Sequence, residues 1–320
     1  MAAGRRLGKW LVVFVVAIAV VAAAPFVIGD GETLNLGAAE RKRHNITTVK
    51  LSHGEVAYGL YGPRAPGLVV LVHGFSTGSI VWEPTVPALN AAGLRVLTYD
   101  LYGRGFSDRP DVAYDRALFD RQLVELLDRL GEKRVDLVGL SMGGAIAVNF
   151  AVKHPERVRR LALISPAGMR RRRSVMVRLA AAPGVGEWVM TALGDLSLPA
   201  LTRRAFHDKA KAEPFMEKFK GQMRYRGYKR ALLSTLRHDM LRDMTEEYRA
   251  LGRQKRKVLL IWGRTDAIAP FAHSEQIRTL VPGIEFHAIA NAGHISHYER
   301  PEMVNQLLVA FFKNFGRRPQ

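Results

Sequence analysis

The sequence predicts an α/β protein, a mostly parallel sheet flanked by helices on both faces, with a helical insertion that caps the sheet. Three observations predict it. From residue 68 onward, short apolar runs alternate with helix-period segments, the pattern of strands covered on both faces by crossover helices. Between Ser165 and about Gly252 that alternation stops, and the chain turns helical in pattern and rich in Arg, Lys and Met. Finally, Gly139-Leu140-Ser141-Met142-Gly143 stands between an apolar run and a helical one, which puts a serine on a sharp strand-to-helix turn.

The elements follow in order. Residues 47–51 and 56–61 alternate like a hairpin about Ser52-His53-Gly54. Further strands are expected over 68–72, 94–99, 135–138, 158–164, 258–262 and 284–289, and helices over 114–130, 142–153, 271–280 and 301–315. Gly131 suits the end of a helix, and Pro301 suits a first helical turn. The insertion runs from about 166 to 252 within a domain spanning 46–316, and the polar stretch 29–45 reads as a linker.

Residues 10–28 carry no charge and follow Arg5, Arg6 and Lys9. About 20 apolar residues cross a bilayer as a helix. The run exceeds the ~7–15 residues of a signal-peptide core, so residues 1–28 read as an uncleaved membrane anchor. A signal peptide cut near Ala22-Ala23-Ala24, releasing a secreted protein, is the alternative. The positive-inside rule then puts residues 1–9 in the cytoplasm and the main domain on the non-cytoplasmic side of a single-pass protein.

The net charge is +19, and residues 170–257 hold 22 Lys and Arg against 9 Asp and Glu, a local net of +13. Such a field favours an anionic membrane surface or acidic ligands. No nucleic-acid-binding motif accompanies it, so nucleic acid is not an expected partner. With no cysteine, disulfides and thiolate metal sites are excluded.

A serine hydroxyl is a poor nucleophile at neutral pH. It needs a base to take its proton, and the base needs a carboxylate to fix its tautomer. On this architecture the partners belong on loops after later strands, in the order serine, acid, histidine. Asp266 follows the strand at 258–262 and is the candidate acid. His294 follows the strand at 284–289 and is the candidate base, with His297 its close rival. The flanking glycines of Ser141 are explained if side chains there would strike the neighbouring strand and helix. Two backbone N–H groups should face the carbonyl oxygen under attack. They come from Met142, just after the serine, and from Phe75, in the His73-Gly74-Phe75 loop after the strand at 68–72. His73 suits a structural role in that loop. Gly103-Arg104-Gly105 lacks the third glycine of a dinucleotide fingerprint and reads as a tight loop bordering the pocket.

Taken together and in this order, His73-Gly74-Phe75, residues 100–107, Gly139 to Gly143, Asp266 and His294 resemble the α/β-hydrolase superfamily over about residues 46–316. Serine at 141 sets the chain apart from the haloalkane dehalogenases and epoxide hydrolases, which use aspartate there. The apolar N-terminus, His-Gly-Phe-Ser, Gly-Leu-Ser-Met-Gly-Gly and the helical cap look like the membrane-anchored, monoacylglycerol-lipase-like serine hydrolases. The same motifs occur in carboxylesterases, carbon–carbon bond hydrolases, iminopeptidases and cofactor-free haloperoxidases. The resemblance implies an esterase or lipase acting on a lipid-derived acyl ester through an acyl-enzyme, with no metal or organic cofactor. Val175, Met176, Val177, Trp188, Val189 and Met190 in the cap are candidates to guide an acyl chain, or else pack cap on core. The alternatives are a hydrolase of small soluble esters, amides or carbon–carbon bonds, and a membrane-tethered ligand-binding protein of the same fold.

Overall fold

The computed structural model describes residues 10–17, 19–20, 22–23, 25, 31–63, 67–169, 177–178, 181–238 and 240–313. Eight strands form one sheet: β1 (Thr48–Leu51), β2 (Gly54–Tyr61), β3 (Leu68–Val72), β4 (Arg95–Tyr99), β5 (Val135–Leu140), β6 (Val158–Ile164), β7 (Val258–Gly263) and β8 (Glu285–Ile289). Their order is β1-β2-β4-β3-β5-β6-β7-β8. β1, β2 and β4 pair antiparallel in that order, and every other pairing is parallel. The expected mostly parallel sheet is therefore present, and the chain reverses its direction of travel across the sheet at β3. Such a switch point leaves a crevice at the carboxyl ends of the strands.

The central strands β3, β5 and β7 are buried at every position, which is why β3 and β7 read as unbroken apolar runs; β5 carries one charge, Asp136, whose carboxylate accepts from the Arg160 guanidinium at 2.8 Å. Successive side chains leave by opposite faces. Val70 and Val72 join one core with α3 (Arg116–Arg129), α4 (Met142–Lys153), α8 (Thr245–Gly252) and α9 (Ala272–Leu280). Val69 and Leu71 join the other, with α2 (Val86–Ala91) and α11 (Pro301–Lys313). Local chemistry sets the ends of these helices. The Asp115 side chain accepts from the Leu118 N–H at 2.8 Å at the head of α3. Gly131, just past its end, takes φ 71°, a backbone region that disfavours other residues.

The insertion supplies α5 (Val185–Arg204), α6 (Lys209–Met223) and α7 (Tyr228–Arg237). α6 and α7 make polar contacts with loops at the carboxyl edge of the sheet. Gln222 on α6 donates to Thr77 O at 2.8 Å, and the Tyr228 hydroxyl on α7 donates to Ser76 O at 2.8 Å. Of the apolar cap residues, Val175 and Met176 lie outside the described residues, Val177 is exposed, Trp188 and Val189 are half-buried, and Met190 is buried.

The stretch expected as a polar linker carries α1 (Ala38–Arg43) and is bonded to the cap along its length. Leu34 exchanges backbone hydrogen bonds with Arg224 and Arg226, both at 2.9 Å. The Glu32 carboxylate accepts from the Gly227 N–H at 2.7 Å, and Glu40 accepts from the Tyr225 hydroxyl at 2.9 Å.

The N-terminus corrects the expected location. Among the described residues no helix is long and apolar enough to cross a membrane. The segment 10–28 lies partly outside the described residues. The single-pass, membrane-anchored placement drawn from charge-free length is therefore overturned. Within the described part, Ala22 meets the cap, where Trp188 Nε1 donates to Ala22 O at 3.1 Å.

Candidate active site

Ser141 follows β5 at φ 52° and ψ −116°, a strained conformation for a residue with a side chain. Close packing forces the turn. A Cβ on Gly143 would lie 2.1 Å from Val72 O and 2.4 Å from His73 O, and one on Gly139 would lie 2.5 Å from Gly143 O. Both collisions are with backbone, so the glycines of the motif are needed for close approach. Gly143→Ala should cost at least the ~1–3 kcal/mol of an overpacked core, read as a fall in thermal midpoint. An unchanged midpoint would contradict the close approach.

The Ser141 carbonyl caps the turn, accepting from the N–H groups of Gly144, Ala145 and Ala167 at 3.0, 3.2 and 2.9 Å. Its hydroxyl makes no capping bond, so it is free for other work. Three of the four non-glycine residues with positive φ among the described residues, Ser141, Ser165 and Asn291, follow β5, β6 and β8. Backbone strain is thus concentrated at one edge of the sheet, as it is at functional sites.

The loop after β3 lies against Ser141, with the Cβ position of Gly74 only 3.6 Å from Ser141 Cβ. The register explains this, since Val72 pairs with Gly139 and the two strands end side by side. The Phe75 and Met142 N–H groups, the expected oxyanion donors, make no hydrogen bond among the described residues. Met142 opens α4, where unsatisfied N–H groups and the positive end of the helix dipole coincide.

Asp266 follows β7 and is 9% exposed. Its Oδ1 accepts from the N–H groups of Ile268 and Ala269, both at 2.8 Å. Its Oδ2 faces His294 Nδ1 at 2.7 Å. Burial pulls the Asp266 carboxyl upward, but the adjacent imidazole and those two N–H groups outweigh it and hold the group below its ordinary value. A carboxylate on Nδ1 keeps the proton there and leaves Nε2 as the basic nitrogen. Among the described residues no hydrogen bond joins Ser141 Oγ to His294. In enzymes without substrate such contacts are often long and tighten in the complex.

The two rival histidines are occupied elsewhere. His73 Nδ1 donates to Gly74 O at 2.8 Å, and its Nε2 accepts from the Leu101 N–H at 2.9 Å. His297 Nε2 donates to Val81 O at 3.1 Å, and its ring lies 4.5 Å from that of Trp82. That contact ties the loop after β8 to the segment after β3. Burial pushes His73 down to about 4 and His297 to about 3, so both are neutral. The unfolded chain protonates them near pH 6.5. Their contribution to stability is whole above that value and is lost as the pH falls through 6.5 towards their folded values. The urea midpoint should therefore drop between pH 7 and pH 4, and a flat midpoint over that range would contradict this.

Two residues that sequence reasoning passed over support these loops. Arg104 is fully buried, and its guanidinium donates to Phe75 O at 2.8 Å, Tyr102 O at 3.2 Å and Thr235 Oγ1 on α7 at 2.8 Å. Burial lowers its pKa to about 10, which still leaves a cation beneath the Phe75 loop. Its one sequence signal was its place between two glycines. Glu299, in the short helix α10 (Ser296–Glu299), is also fully buried and receives backbone N–H groups from both the cap and the His294 loop. Nothing local marks it. No group of His, Cys, Asp and Glu suited to a metal ion occurs among the described residues. A groove of about 1080 Å³ between α1, β2 and α6 is not lined by Ser141, Asp266 or His294.

Residues 67–301 match the sequence profile of the alpha/beta hydrolase fold family. The chain belongs to the α/β hydrolase family. This α/β hydrolase is 27% identical to carboxylesterase YbfK of Bacillus subtilis, over 78% of this chain and 81% of that protein. It is 30% identical to a 2-hydroxy-6-oxononadienedioate/2-hydroxy-6-oxononatrienedioate hydrolase of Paraburkholderia phymatum, over 76% of this chain and 86% of that one. Among solved structures, an enol-lactonase from Burkholderia xenovorans superposes with a TM-score of 0.73 at 25% identity, over 84% of this chain and all of that one.

Proposed function

We propose that this α/β hydrolase cleaves carboxylic esters through Ser141, His294 and Asp266. The observation that carries the reading is the Asp266–His294 pair at 2.7 Å, held on the same sheet edge as a strained serine at the head of a helix. In the proposed reaction Ser141 Oγ attacks the ester carbonyl carbon while His294 Nε2 takes its proton. The oxygen of the tetrahedral intermediate becomes an anion, and the Phe75 and Met142 N–H groups stabilise it. Collapse breaks the carbon–oxygen bond to the alcohol, which leaves with the proton from His294. Water then attacks the acyl-enzyme, His294 takes a water proton and returns it to Ser141, and the acid is released. Asp266 holds the imidazole in the required tautomer throughout.

A lipid-derived acyl group is the substrate class we favour. Cap helix α5 exposes Val185, Leu193, Leu196 and Leu201, with Leu196 75% exposed, more apolar surface than a wholly water-facing helix needs. The excess of cations in the cap favours substrate presented among negative charges. A second reading, hydrolysis of a carbon–carbon bond in a ring-cleavage product, is favoured by the 30% identity to the Paraburkholderia hydrolase.

The test is hydrolysis by the full chain of 4-nitrophenyl esters and monoacylglycerols of increasing acyl length, beside Ser141→Ala. Ser141-dependent turnover that rises towards medium and long chains supports the lipid ester. Turnover confined to short esters removes the lipid. Turnover only of a vinylogous 1,5-diketone replaces the ester reading with the second one.

A further inference from the structure

Beyond the three candidate catalytic residues, the loop bearing His294 is tied to the cap by one buried carboxylate. Glu299 Oε1 accepts from the His207 N–H at 2.7 Å and the Asp208 N–H at 2.9 Å, in the segment joining α5 to α6. Its Oε2 accepts from the Gly293 N–H at 2.6 Å, one residue before His294. The next peptide is tied as well, since the His294 N–H donates to Ala205 O at 2.7 Å. Thr265, beside Asp266, closes the ring. Its hydroxyl lies 2.9 Å from both Ala292 O and His207 Nδ1. A side chain at position 293 is barred, because a Cβ there would lie 2.4 Å from Ala205 O and 2.8 Å from the His207 nitrogen.

A buried carboxylate is costly unless its lone pairs are satisfied. Here three backbone donors from two separate segments satisfy them, and the Lys211 ammonium sits on the carbonyl of the same residue at 2.8 Å. The cap segment is thereby fixed against the peptide that aims the imidazole.

We propose that Glu299 is a positioning residue that couples the cap to His294, so that cap placement sets the aim of the base towards Ser141. The proposal rests on the triad reading above. A misplacement of about 1 Å in such a group costs about 100-fold in rate, and the cap segment has no other carboxylate bridge to this loop among the described residues.

Glu299→Gln is the decisive variant. Both oxygens of Glu299 accept N–H groups, so the amide nitrogen of glutamine must face a donor on one side, and one of the two links is lost. Its kcat, counted per site titrated with a fluorophosphonate, should fall about 10–100-fold while KM stays within about 3-fold. The proton resonance of the His294 Nδ1–H should shift. Wild-type kcat per titrated site would overturn the proposal even if the thermal midpoint fell, since that is what a merely structural residue does. If Glu299→Gln does not fold, the near-isosteric Thr265→Val takes its place. It removes the link from Ala292 to His207 and should lower kcat in the same way, and wild-type kcat there overturns the proposal. Wild-type hydrolysis insensitive to Ser141→Ala would instead end the triad reading. Ser141-dependent hydrolysis with an unaffected Glu299 variant would end this proposal alone.

Discussion

Ser141→Ala is expected to lower kcat for ester hydrolysis by about five to six orders of magnitude, the loss typical of deleting the nucleophile of a serine triad. The change removes one oxygen, and its structural cost is small for three reasons found at the site. The hydroxyl makes no helix-capping bond. The bonds that hold the turn are made by the Ser141 carbonyl, which alanine keeps. Alanine at φ 52° has no more Cβ strain than serine has. The thermal midpoint should therefore stay near that of the unaltered protein, and fluorophosphonate labelling should vanish. Rate loss without stability loss assigns the oxygen to chemistry. A variant that retains even a tenth of the activity would remove Ser141 from the mechanism.

Asp266→Asn is expected to lower kcat by about 10⁴-fold with little change in KM. The two N–H groups on Oδ1 make this residue-specific. Ile268 and Ala269 both donate to that oxygen at 2.8 Å, so the single oxygen of asparagine must occupy its place. The amide nitrogen then falls where Oδ2 was, 2.7 Å from His294 Nδ1. Facing a donor, Nδ1 can only accept, and the imidazole proton moves to Nε2. The nitrogen meant to take the serine proton is then already protonated. Steady-state kinetics beside the thermal midpoint check this. A loss below about tenfold would mean that His294 does not depend on Asp266 for its tautomer.

Much of this architecture could be read along the chain because its causes are local. Unbroken apolar runs marked β3 and β7, since a strand covered on both faces has no polar side to show. Gly139 and Gly143 marked the turn at Ser141, because any Cβ there strikes backbone. Asp266 and His294 stood out as candidates from their place just after late strands, and the structure pairs them at 2.7 Å. Other features had no local cause to read. The short helix α2 lacks a long amphipathic period. Arg104 and Glu299 do their work through partners 131 and 92 positions away. The N-terminal expectation failed differently. Counting uncharged residues measures how apolar a segment is, and that alone does not make it a span.

By itself, the sequence determined most of the strands and the longer helices of the sheet and the sharp serine turn, and it pointed to a candidate acid and base, all through side-chain period, glycine sterics and chemical type within a few residues. Tertiary structure alone decided the strand order that lays Gly74 against Ser141. It also turned His297 away to Val81, seated Asp266 on His294, and placed a buried arginine and a buried glutamate between the cap and the two loops of the site. These are contacts between segments far apart in the chain. They exist because burying unpaired polar groups is costly, and each such group therefore takes the partner that folding brings to it.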